Sequence, residues 1–212
     1  MTVAILFARE DSIYKTLPDC DVYDQQRDAR TFVGGMPVVA HPPCRAWGRL
    51  RQFAKPRDDE KDLARWAVVQ VRQWGGVLEH PEASTLWKEA GLPLAETIDQ
   101  HGGYTLQVEQ FWWGHKARKR TWLYVCGIPR ERVPAMPLVF GEPTHTISRS
   151  PGRRRKPGKQ YKPQTTKAER EHTPIDFARW LVELAALSQR PGSAARSVRL
   201  DPVVGTNLTK GG

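Results

Sequence analysis

Short apolar runs separated by turn signals occupy the first 130 residues. Val3 to Ala8 is a continuous run of the kind found in a strand buried on both faces. Asp11 to Pro18 has room for one helical turn. Asp21-Val22-Tyr23-Asp24 predicts a second strand ending in an acid, and Gly34-Gly35 a turn. Pro37 to Ala40 predicts a third strand that runs into Pro42-Pro43-Cys44. From Asp58 to Trp74 the period changes. Leu63, Trp66, Ala67, Val71 and Trp74 recur at helical spacing, acids crowd the first turn, Asp58 or Asp59 is available as a cap, and Gly75-Gly76 supplies a stop. Val77-Leu78 then gives a short strand ending at Glu79. Ala83 to Ala90 reads as another helix, Tyr104 to Trp113 as an aromatic-rich strand, and Thr121 to Cys126 as a further strand behind a tight basic loop, Gly114 to Arg120.

Strand, helix, strand within about 40 residues is a βαβ unit with a right-handed crossover. The expected class is therefore α/β, a Rossmann-like, mostly parallel sheet with flanking helices. Ligands of such sheets bind beyond the carboxyl ends of the strands, which draws attention to Cys44 and Glu79. From Ser148 the composition turns basic and rich in Pro and Gly, so residues 148–170 read as a flexible linker behind a catalytic domain at 1–147. Thr173-Pro174 starts a helix with Pro at its first position. Its apolar face, Phe177, Trp180, Leu181, Leu184 and Leu187, predicts docking of residues 171–190 on the main domain. Residues 191–212 read as a disordered tail.

The chain has 212 residues, 39% of them hydrophobic, enough for one domain with a core. No apolar run approaches the roughly 20 residues of a membrane span, and the N-terminus reads as a strand rather than a signal peptide. Net charge is +10, which points to a polyanion, most simply nucleic acid. Arg153, Arg154, Arg155, Lys156, Lys159 and Lys162 form the densest patch, suited to salt-sensitive phosphate binding. Tyr161 is available to stack on a base, whereas Trp112, Trp113 and Trp122 read as core. The three cysteines, Cys20, Cys44 and Cys126, are odd in number and lack metal spacing, which fits a reducing cytoplasm and no metal site. The HxE and PCxxC motifs of a zinc deaminase are absent.

Three motifs carry chemistry. Cys44 follows two prolines that stiffen its loop, with Arg45 and Arg49 nearby to lower its pKa. A thiolate there can add to C6 of a pyrimidine and make C5 nucleophilic. Glu79, desolvated after a buried strand, is expected to have a raised pKa and to donate a proton to ring N3. His80 reads as structural or substrate-contacting. Arg118 and Arg120 alternate with Lys119 and share one face, suited to the pyrimidine O2 and a phosphate. Arg45, Lys116 and Lys119 read as DNA contacts.

In order and spacing these motifs resemble the cytosine-C5 DNA methyltransferases. Pro42-Pro43-Cys44 resembles that family's catalytic Pro-Cys loop. Leu78-Glu79-His80-Pro81 resembles its ENV or ENP motif with His for Asn. Lys116-Ala117-Arg118-Lys119-Arg120 before TWLYVCG resembles QxRxR with Lys for Gln, and Ile5-Leu6-Phe7-Ala8 is similar to the start of DLFAGxGG. The resemblance covers residues 3 to about 127. It implies a reduced methyltransferase core, Cys44 as nucleophile, Glu79 as the N3 contact, Arg118 on O2 with Arg120 alongside, and a base flipped from the duplex. It also implies S-adenosylmethionine, held near Phe7 and with Asp24 on its ribose. Arg9-Glu10-Asp11-Ser12 stands where the family has glycines, and no room remains for a large target-recognition domain. The small size is similar to compact methyltransferase-like proteins of phages and prophages, which implies the cytoplasm of a bacterial host or phage-infected cell. A DNA-modifying transferase is thus the first expectation. A non-catalytic DNA-binding or anti-restriction protein on the same fold is the second, and an enzyme acting on free nucleotides the third.

Overall fold

The computed structural model describes residues 1–94, 96–147, 158 and 160–189. Arg153, Arg154, Arg155, Lys156 and Lys159, and the segment 191–212, lie outside the described residues. A six-stranded mixed sheet forms the centre, in the order β2-β1-β3-β4-β6-β5. Strands β1 (Val3–Leu6), β2 (Cys20–Val22), β3 (Val38–Ala40) and β4 (Gly76–Pro81) run parallel. Strand β6 (Arg120–Cys126) is antiparallel to both β4 and β5 (Tyr104–Glu109).

Alternation along the strands divides the core into two layers. Ala4, Leu6, Val38, Ala40, Leu78 and Tyr124 face helix α1 (Glu60–Trp74) and the one-turn helix α2 (Leu86–Glu89). Val3, Ile5, Val39, Val77, Leu123 and Val125 face helix α4 (Ile175–Ala186), whose Phe177, Trp180, Leu181 and Leu184 are buried against them. Among the described residues no helix is long and apolar enough to cross a membrane.

Several elements differ from the sequence reading, each for a local reason. The Asp59 carboxylate bonds to Arg57 at 3.0 Å instead of capping α1. The expected strand over Tyr104–Trp113 stops at Glu109, and Gln110–Trp113 form a 3-10 turn that packs Trp113 against Phe177 and Trp180. The helix expected over Ala83–Ala90 contracts to α2. Strand β4 continues through Glu79 to Pro81 because β6 supplies partners as far as Pro81↔Thr121. Pro174 is the N-cap of α4 rather than its first helical residue. The described part of the segment read as a flexible linker is ordered. Thr146 bridges Gln164, and helix α3 (Lys167–Glu171) opens on a capping box between Thr166 and Glu169.

The β3–β4 junction leaves no room for a side chain at Gly76. Its φ is +113°, and a Cβ there would fall 2.0 Å from the Val38 carbonyl oxygen. Gly76→Ala is expected to cost about 3 kcal/mol or more, read as a lower urea midpoint with an unchanged m-value.

Candidate active site

The carboxyl ends of β1, β3 and β4 open on one edge, where a largely buried carboxylate organises the polar side chains. Glu79 accepts from His41 Nδ1 at 3.1 Å and from Gln110 Nε2 at 3.2 Å. Gln110 also bonds to the Thr121 hydroxyl at 3.1 Å, and the Tyr14 hydroxyl lies 2.9 Å from His41 Nε2. With its proton on Nδ1, His41 donates to Glu79 and accepts from Tyr14. Burial pushes the Tyr14 phenol well above its ordinary pKa, keeping it a donor.

The expected raised pKa of Glu79 is overturned. Burial opposes its ionisation, but the His41 hydrogen bond and the charge of Lys119 outweigh burial and hold the carboxyl at about 2. Glu79 is an ionised acceptor in the free protein. The expected activation of Cys44 is corrected likewise. Burial pushes its thiol above the ordinary value and the Glu79 charge adds to this, while Lys119 opposes both. Arg45, expected to lower the Cys44 pKa, is engaged by a carboxylate. It forks onto the fully buried Glu60 at the start of α1 and ties the Cys44 loop to that helix.

Lys119, read as a phosphate contact, is the cation that acts on Cys44 and Glu79, and it makes no ion pair with a described residue. Arg118 and Arg120 do share a face, but they are paired elsewhere. Arg118 bonds to Glu109 at 2.7 Å and to the Gly141 carbonyl at 3.0 Å. Arg120 lies 3.4 Å from Glu109 and 3.7 Å from Glu82. Register explains the split. Pro81 pairs with Thr121 and Glu79 with Leu123, so the odd residues of β6 lie on Glu79's side and the even ones on the other. On that other side, Arg120, Glu82, Gln107, Glu109, Trp112 and Trp122 line an open cleft of about 230 Å³.

His80 braces the nucleophile's loop. The Ser84 hydroxyl accepts from Leu86 N and lies 2.7 Å from His80 Nδ1, leaving the ring proton on Nε2. That nitrogen faces the Pro43 and Pro42 carbonyls without full hydrogen-bond geometry. Burial lowers the His80 pKa to about 4.

The edge of β1 does not fit S-adenosylmethionine. Phe7 takes φ +63° and packs edge-on against Trp66. Arg9 bonds to Asp11 and to Glu171 of α3, and His172 lies 3.0 Å from Asp11. What remains between Phe7, Arg9, Tyr14, His41 and Glu171 is a cavity of about 40 Å³, against the ~300 Å³ or more of ligand clefts. Asp24 is also occupied, accepting from Lys15 at 2.5 Å and from the Gln26 and Arg27 amides. Lys116 pairs with Glu169, fastening α3 over this edge.

Sequence reasoning missed Tyr14, His41 and Gln110 as members of the site. His41 carried a signal, three residues before Cys44 at a strand end. Tyr14 and Gln110 carried none, because only the fold brings them to Glu79. Among the described residues, no group of three His, Cys, Asp or Glu is placed to hold a metal ion.

Two measurements check this electrostatic arrangement. In a Cys20→Ser background, Glu79→Gln is expected to speed alkylation of Cys44 at pH 8 several-fold, and Lys119→Gln to slow it, as the thiolate fraction rises or falls. The second concerns His80. Above about pH 6.5 it is neutral in both the folded and unfolded states, so its contribution to stability is fully present. Between pH 6.5 and 4 only the unfolded chain takes up the proton, and about 3 kcal/mol of stability is lost. The Glu79 contribution is lost lower, from pH 4.5 towards 2. His80→Gln is expected to flatten the upper part of the stability profile, measured by denaturation at pH 7 and 4.5.

No family model matches the sequence, and no curated protein or solved structure matches it either; the functional reading rests on this geometry and on the motifs.

Proposed function

We propose that this protein acts on a pyrimidine base of DNA through a covalent Cys44 adduct, the chemistry of the cytosine-C5 methyltransferases, on a reduced Rossmann-like core. The observation that carries this reading is the meeting of Cys44, Glu79 and Lys119 at one sheet edge. There the charges of Glu79 and Lys119 act on the Cys44 thiol in opposite directions, which supports a nucleophile coupled to its carboxylate.

In the proposed addition, sulfur bonds to C6 of cytosine. The thiol proton passes to Glu79 and from there to ring N3, so charge is conserved and C5 becomes electron-rich. Lys119 stabilises the thiolate as it forms and again as sulfur leaves C6 on return. His41, fixed by Tyr14, keeps the carboxylate aimed while its charge is lost and regained. Gln110 holds the other carboxylate oxygen. Arg118 and Arg120, on the other side of the strand from Glu79 and paired with Glu109 and Glu82, have no part in this addition.

S-adenosylmethionine is the methyl donor that the resemblance implies, and the closed edge beside Phe7 does not accommodate it. Addition to the ring is the part of the reaction these residues carry. This favours one second reading, a DNA-binding or anti-restriction protein that retains the fold without turnover.

Adduct formation has a signature that needs no donor: C5 of the adduct takes a proton from solvent before sulfur leaves. In D2O the wild type is expected to convert cytosine in duplex DNA to 5-deuteriocytosine, seen as one added mass unit by nucleoside mass spectrometry. Cys44→Ala is expected to reduce this to background. DNA binding without exchange by the wild type supports the second reading.

A further inference from the structure

Helix α3 lies over the carboxyl edge of the sheet without burying any of its own residues. Charge rather than apolar contact holds it there. Glu171 accepts from Arg9 Nη1 at 2.5 Å, Glu169 accepts from Lys116 Nζ at 2.5 Å, and His172 lies 3.0 Å from Asp11. A further tie is the buried His115 ring, whose Nε2 lies 3.0 Å from the Glu169 carbonyl. The helix turns its acids inward. Glu169 and Glu171 meet cations of the edge, while the Lys167 side chain is 81% exposed.

The two cations that α3 occupies flank the edge that carries the nucleophile. Arg9 follows β1, and Lys116 opens the loop whose Lys119 acts on Cys44 and Glu79. The charge of Glu171 reaches the same place. Burial raises the Cys44 thiol most, Glu79 adds to it, and Glu171 adds further. What remains beneath the helix is the cavity of about 40 Å³. A strand that presents a base to Cys44 has to bring the phosphates flanking that base to this edge. Lys and Arg bind phosphate through the same charge-assisted hydrogen bonds that they make to carboxylate. A nucleic-acid backbone and α3 therefore compete for Lys116 and Arg9.

We propose that α3 is an autoinhibitory strap: Glu169 and Glu171 stand in for two backbone phosphates, and DNA that reaches Cys44 takes Lys116 and Arg9 from them and displaces the helix. This inference rests on the DNA reading above. Arg9 keeps Asp11 through its Nε when Glu171 leaves, and its Nη1 is freed. The chain is long enough to move. Thr165, buried and bonded to the Thr146 carbonyl at 2.9 Å, anchors one side, and α4, with Phe177 in the core, anchors the other. The five residues of α3 span about 7 Å as a helix and about 16 Å extended, so melting releases roughly 9 Å of chain between these anchors. Melting costs little, because so short a helix has no stability of its own and its exposed ion pairs are individually weak.

The test compares the full-length wild type with the double variant Glu169→Gln/Glu171→Gln on a short DNA duplex. Gln at position 169 still completes the capping box, so the variant removes the two charges and keeps the helix. It is expected to bind the duplex roughly fivefold more tightly than the wild type. Hydrogen exchange reads the displacement directly in the wild type. The Arg170 and His172 amides bond to the Thr166 and Ala168 carbonyls. They are expected to lose protection when the duplex binds, while the amides of α4 keep theirs. Unchanged or increased protection of the α3 amides in the complex overturns the strap and leaves the DNA reading standing. Equal or weaker binding by the double variant does the same. Failure of both proteins to bind the duplex overturns the DNA reading and the strap with it. The exchange measurement needs no substitution, so a variant that fails to fold leaves the question decidable.

Discussion

An ionised carboxylate with little access to water has to be compensated, and in this protein the compensation of Glu79 organises one whole edge of the sheet. Its partners come from three other places in the chain: His41 after β3, Gln110 after β5, and Lys119 before β6. Tyr14, after β1, fixes His41 in turn. Removing any one leaves buried charge or buried polar groups unsatisfied, which costs more than the bond itself contributes. The network therefore fixes where the strands end relative to one another, and the Cys44 loop is carried on that frame.

The same charge balance sets the reactivity of Cys44. Burial and Glu79 hold the thiol protonated, and Lys119 works in the opposite direction. A resting thiol is protected from adventitious oxidation and alkylation. Under the adduct reading, the base itself releases this restraint, because passing the proton through Glu79 removes the negative charge that disfavours the thiolate. Nucleophile and proton carrier then act as one coupled unit, and neither is poised in isolation.

Around this frame the edge is closed by the C-terminal part of the chain. Helix α3 is too short to be stable alone, and it persists through its capping box and its ties to Lys116, Arg9 and Asp11. The ion pairs involve exposed groups and are individually weak. Their joint effect is geometric, covering the end of β1 where Arg9 to Ser12 stand in place of small residues. The opposite flank, with the open cleft beside Trp112 and the exposed apolar residues Leu138, Val139 and Phe140, remains accessible.

The sequence by itself determined the layers. Periodicity located β1, β3, α1, β6 and α4, because apolar residues at intervals of two or of three to four have few ways to be buried together. It also determined that Cys44 and Glu79 lie at the same end of parallel strands, since the βαβ unit over residues 37–79 leaves one handedness. Tertiary structure decided the electrostatics. Whether Glu79 is protonated depends on His41 and Lys119, 38 and 40 residues away, and no local pattern records a partner at that separation. The sequence showed that Arg118 and Arg120 share a face and Lys119 takes the other. Which face meets the nucleophile was fixed only by the register of β6 against β4, because a shift of one residue would exchange the two sets.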